Sequence, residues 1–149
     1  MKSSLGDIDM PARFDENGIQ FQYPENWEMD RQETDGGWTV SVQSPGTAFF
    51  MVSFDGDMPE PQQMADTALE ALRSEYPALE SEEASSPIAG HSAVGHNVRF
   101  FSLDLTNTCW LRSFACNEGT VLVMWETNDL ELERIGPVLD AMCVSLQAS

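Results

Sequence analysis

AVGHNVRFFSLDLTNTCWLRSFACNEGTVLVMWET, residues 93–127, decides how this chain folds. It divides into three β-rich runs, 93–103, 106–116 and 120–127, and Asn117-Glu118-Gly119 reads as a hairpin turn between the last two. In the third run Val121, Val123 and Trp125 share one face, while Leu122 and Met124 share the other. A strand with one wet face alternates apolar and polar residues, so apolar side chains on both faces call for cover on both. The run therefore reads as a central strand of a sheet with layers on either side.

Upstream, residues 18–23 (GIQFQY) alternate again, with Ile19, Phe21 and Tyr23 on one face. Pro24 stops that strand, Trp27 follows, and residues 28–37 read as a polar turn region. Trp38, Val40 and Val42 mark a second strand, Ser44-Pro45-Gly46 a turn, and residues 48–54 a third strand that completes a hairpin. Prolines 59 and 61 suit a helix start, and Ala65, Ala68, Leu69, Leu72 and Tyr76 make one apolar helical face before Pro77 ends it. Residues 78–84 form a weak strand whose Glu80, Glu82 and Glu83 line an exposed edge, where charge discourages stray pairing.

After the central run, Asn128 or Asp129 caps a last helix with Leu132, Ile135, Leu139, Met142 and Leu146 as its core stripe. Pro137 inside that stripe either kinks the helix or lies in its first turn, and a start near Ile135 is the reading preferred here. Hairpin-linked strands with two helices give an α+β fold, a mostly antiparallel twisted sheet of six to seven strands with both helices packed on it. Residues 1–13 read as a flexible arm and 14–149 as a single domain.

Composition narrows the function. Seven Lys+Arg against 25 Asp+Glu give a formal charge of −18. Such a surface repels phosphate, so neither nucleic acid nor anionic lipid is an expected partner. A basic protein segment is compatible with it. Three cysteines, Cys109, Cys116 and Cys143, at spacings of 7 and 27 make no disulfide framework and favour a reducing, cytoplasmic setting. No apolar leader core is present near the N-terminus, although an envelope protein whose leader had been removed would read the same. No 18-residue apolar run exists, so no membrane-spanning helix is expected.

Chemistry-bearing patterns are sparse. His91 and His96 lie five apart in one strand, hence on opposite faces, and no local cysteine pair joins them as zinc ligands. Asp55-Gly56-Asp57 opens like a calcium loop but lacks the ligand and glycine that should follow, so it reads as a turn. There is no GxSxG elbow, no GxGxxG and no GxxxxGK[ST]. No cofactor or metal site is expected, and the chain does not read as an enzyme. What remains is aromatic. Trp110, Arg112 and Phe114 share a strand face, and Arg99 lies on the preceding strand. Trp110, Arg112 and Arg99 form the candidate partner-binding surface, with a cation–π contact or a buried salt bridge as the role of an arginine set among aromatics.

Phe14 followed by Asn17-Gly18-Ile19-Gln20-Phe21-Gln22-Tyr23-Pro24-Glu25-Asn26-Trp27 resembles the opening of the PsbP-like and DcrB-like superfamily. So do Glu75-Tyr76-Pro77 before Ile88-Ala89-Gly90-His91-Ser92-Ala93, and a closing helix that runs into Val144-Ser145-Leu146. The resemblance spans roughly residues 14–147. It implies the α+β fold shared with the extrinsic photosystem protein and the Ran-binding nuclear import factor. It further implies non-catalytic docking to a protein partner, chaperone-like or accessory to an assembly, and it carries over no functional residue. A small-molecule or calcium-binding protein, or a hydrolase with an unrecognised carboxylate pair, is the alternative.

Overall fold

The computed structural model describes residues 12–149. The central position expected for residues 120–127 is realised. Strand β9 (Thr120–Asn128) is fourth of seven in an antiparallel sheet ordered β3-β4-β5-β9-β8-β7-β6. Its partners are β5 (Phe49–Asp55) and β8 (Leu105–Ala115). Outside them lie β4 (Gly37–Gln43) and β3 (Glu28–Glu33) on one flank, and β7 (His91–Ser102) and β6 (Glu80–Ile88) on the other. A second, three-stranded antiparallel sheet is ordered β1 (Ala12–Glu16), β2 (Ile19–Tyr23), β10 (Gln147–Ala148).

Both faces of β9 are covered, each by a different layer. Helix α1 (Pro61–Glu75) packs on β7, β8 and β9. Leu69 joins Leu79, Val98, Phe100, Cys109 and Leu111 in one buried cluster, with Ala68, Leu72 and Tyr76 packed against it. Helix α2 (Leu132–Ser145) and the small sheet cover the opposite face. There Phe14, Ile19, Phe21 and Tyr23 meet Trp38, Phe50, Val52, Phe114, Val121, Val123, Leu139 and Met142. Trp38 ties the two sheets together, since its indole N–H donates to Asn17 Oδ1 at 2.7 Å and its ring lies 5.0 Å from that of Phe14.

Three strands escape the sequence pattern. Strand β3 occupies what reads as a polar turn, because it is an edge strand with almost every side chain exposed and so has no apolar alternation to betray it. Strands β1 and β10 complete the small sheet, so two sheets stand where one was expected. Strand β1 already takes in Ala12 and Arg13, which the sequence assigns to the arm; the remainder of that arm, residues 1–11, lies outside the described residues.

Helix α2 begins at Leu132 rather than near Ile135. Asn128 prepares the start by accepting from Glu131 N at 3.0 Å. Pro137 is tolerated inside because the carbonyl that loses its partner belongs to Glu133, an exposed residue of the first turn, where an unpaired backbone oxygen is not cut off from solvent and costs little. Leu132 consequently falls outside the buried stripe and is 40% exposed, whereas Ile135, Leu139, Met142 and Leu146 are buried.

Candidate functional site

Sheet register lays the candidate residues out in rows. On the face shared with α2, one row runs Glu82, Asn97, Trp110, Trp125, Phe50 across β6, β7, β8, β9 and β5. The neighbouring row runs Glu80, Arg99, Thr108, Thr127. Where these rows cross β6, β7 and β8 the sheet carries a cavity of about 340 Å³. Glu80, Ser81, Glu82, Asn97, Arg99, Thr108 and Trp110 line it. Trp110 is half-buried and its ring stacks on Trp125 with centroids 6.0 Å apart and planes 14° from parallel.

The structure thus brings Trp110 and Arg99 into one concavity and sets Arg112 behind it. Arg112 is buried and bonds only to neutral acceptors. Its Nε donates to Ser86 Oγ at 3.0 Å, its Nη1 to the carbonyls of His96 and Leu111, and its Nη2 to Asn97 Oδ1 at 2.8 Å. The sequence offered a salt bridge or a cation–π contact for such an arginine. None of the described carboxylates is within ion-pair range of Arg112, and no described ring is stacked under it. Four neutral acceptors around it suffice because a guanidinium spreads its charge over several donors. Burial still pulls its pKa down. By fixing Asn97 Oδ1, Arg112 sets the orientation of the amide that floors the cavity.

Asn97, Thr108, Glu80 and Glu82 belong to this site and were not singled out as members of it. The available signal was the polar pair Asn97 and Arg99, alternating with apolar Val98 and Phe100 on one strand. Joining them to Glu80 and Glu82 needed the β6–β7 register, which no local pattern contains.

The other chemistry-bearing groups are placed elsewhere. His91 and His96 do face opposite sides. His91 stacks on Phe114 at 4.8 Å and lies 2.9 Å from the Ala148 carbonyl oxygen. His96 Nε2 donates to Asp66 Oδ1 at 2.7 Å, which seats α1 on β7 and lowers the pKa of Asp66. Asp55 Oδ1 accepts from Asp57 N at 2.9 Å, the turn expected there. The Cys109 thiol is pushed up by burial and then by Glu126, and the Cys143 thiol is pushed up to about 12, first by burial, so both disfavour the thiolate that nucleophilic chemistry needs. Among the described residues no group of three His, Cys, Asp or Glu side chains could hold a metal ion. No helix among them is long and apolar enough to cross a membrane.

Glu126 lies on the α1 face, and its pKa rises from 4.5 to about 7, chiefly through burial, with Glu75 adding repulsion. The unfolded chain ionises this carboxyl near its ordinary value, so the folded state loses stability as pH climbs from about 4.5 to about 7. Glu126→Gln is therefore expected to melt at a higher temperature than the unsubstituted protein at pH 8, by an amount worth about 1–2 kcal/mol after allowance for its partial exposure. At pH 4 the two should melt together. Calorimetric melting at both pH values reads this directly, and a Glu126→Gln advantage at pH 4 equal to that at pH 8 would contradict it.

No family model matches the sequence, and no curated protein matches it. Solved structures do. A cyanobacterial PsbP, CyanoP of Synechocystis sp. PCC 6803, superposes with a TM-score of 0.58 at 10% identity, over 100% of this chain and 98% of that one. The fold is PsbP-like. LpqN of Mycobacterium tuberculosis, involved in cell envelope biogenesis, gives 0.56 at 13% identity, over 87% of this chain and 82% of its own. A Bacteroides thetaiotaomicron protein gives 0.58 at 13% identity over 92% of this chain, which spans about half (48%) of that protein's length. At such identities the shared property is the PsbP-like arrangement of layers, and function has to be argued from the site.

Proposed function

We propose that this chain is a non-catalytic binding domain that holds an amphipathic, basic segment of a protein partner against the exposed end of its large sheet. The observation that carries this reading is the cavity over β6, β7 and β8, with a half-exposed tryptophan as one wall and unburied polar groups as the rest. A tryptophan presents large apolar area with little side-chain freedom to lose, which is why such residues anchor interfaces. Apolar side chains continue the surface beyond the cavity, with Phe101 70% and Leu103 91% exposed at the β7–β8 turn. The resemblance to PsbP-like proteins supports an accessory, partner-docking role over a catalytic one.

Trp110→Ala tests the reading. Titrating a panel of extended amphipathic peptides and following tryptophan emission, the unsubstituted protein is expected to show saturable binding, and Trp110→Ala is expected to weaken it at least about tenfold, a typical loss for an interface anchor. Because the ring is half-buried and stacks on Trp125, the substitution also lowers the urea midpoint, so binding is compared without denaturant under conditions where Trp110→Ala keeps the circular dichroism of the folded protein. Peptide binding that survives Trp110→Ala at full strength would place the docking surface elsewhere.

A further inference from the structure

Stacking on Trp125 uses one face of the Trp110 indole. The row order then fixes what the other face sees. Trp110 stands between Trp125 and Asn97, so its second face is turned along the row toward Asn97 and, one strand further, Glu82. Two strand spacings, about 10 Å, separate the backbone under the indole from the backbone under Glu82. The result is a slot with a π face on one side, a carboxylate on the other, and the Arg112-fixed Asn97 amide as its floor.

Charge in the slot is unbalanced. Glu80 and Arg99 are directly paired across β6 and β7 and offset one another, which leaves Glu82 uncompensated. Two carboxylates against one guanidinium give the lining 1 − 2 = −1, inside a molecule of formal charge −18. A negatively charged slot beside an open indole face attracts a cation for two reasons. The ring quadrupole draws a positive group to its face, and the carboxylate supplies the opposite charge at hydrogen-bonding range. Anionic groups meet the reverse condition from the whole acidic surface. The same glutamates repel a second copy of this chain at the β6 edge.

We propose that the slot between Trp110 and Glu82 is a receptor for one cationic side chain, a lysine or preferably an arginine, projecting from the bound segment. Arginine is preferred because its planar guanidinium stacks on an indole while its edge donates to a carboxylate. This rests on the docking function proposed above and specifies its anchor.

The probe is N-acetyl-arginine methylamide, compared with its neutral isostere N-acetyl-citrulline methylamide. The reporter is the Trp110 indole N–H resonance, assigned by its loss in Trp110→Ala. The arginine probe is expected to shift that resonance saturably at millimolar concentration, and the citrulline probe to leave it in place. Glu82→Gln should weaken the arginine probe about five- to tenfold, as loss of a charged partner in a half-open site does. Glu83→Gln, on the same strand but the opposite face, should change it less than twofold. Equal binding of the two probes, or equal weakening by Glu82→Gln and Glu83→Gln, overturns the proposal. If amphipathic peptides bind through Trp110 equally well with citrulline in place of arginine, the docking function stands and the cation slot falls. If no peptide and no probe moves Trp110, both fall.

Discussion

Trp27→Ala is expected to cost about 3–5 kcal/mol, the range for emptying a buried aromatic site. The indole is 6% exposed and belongs to the cluster that joins both sheets and α2. It reaches that position because Trp27 N donates to the Pro24 carbonyl at 3.0 Å, turning the chain inward just after β2 ends at Tyr23. For a chain of this size the loss should lower the melting temperature by about 10 °C or more. Urea unfolding followed by circular dichroism measures it, and a loss under about 1 kcal/mol would show that the indole is not core. Trp125, also tryptophan and also on the sheet, is half-exposed and should cost less when truncated.

Gly95→Ala has the other large expected effect, through the backbone. A β-carbon at position 95 would stand 1.8 Å from the Leu111 carbonyl oxygen and 2.7 Å from its carbon. No rotamer relieves a clash with main chain, so β7 and β8 would have to separate where Gly95 faces Arg112. That separation also disturbs the Arg112 bonds to the His96 and Leu111 carbonyls and to Asn97. A loss of about 3 kcal/mol or more is expected, at the upper end for overpacking. Hydrogen exchange resolved by residue provides a second reading: the β7–β8 amides should lose protection before those of β4 and β5. A variant with unchanged melting temperature and unchanged β7–β8 protection would mean that the strands can part there at no cost.

Local pattern carried the core of this fold but not its edges. Alternation found β2 and β4, runs dense in apolar β-formers found β5, β7, β8 and β9, and the 3–4 spacing found α1, because elements that bury one face repeat their apolar residues at their own period and those that bury two are apolar nearly throughout. The strands β1, β3 and β10 had no such obligation, being short, polar or exposed. Helix α2 starts three residues before the point the proline suggests, because Pro137 lies one turn inside the helix and the carbonyl it leaves without a partner, Glu133, belongs to the exposed first turn.

The candidate site shows the same division. Trp110, Arg112 and Arg99 attract notice by type alone, as the cations and aromatics of a chain with only seven basic residues. That Trp110 and Arg99 share a cavity, while Arg112 is sealed behind it by neutral oxygens, follows from register and from the layer laid over the sheet. By itself the sequence determined an α+β chain with a doubly covered central strand, an acidic surface and a glutamate-bearing edge, since periodicity and net charge are properties of the chain. Tertiary structure alone decided that Glu82 faces Trp110 across a slot, because cross-strand neighbours are joined by hydrogen-bond register between segments far apart in sequence, and no local preference specifies which residue will lie opposite which.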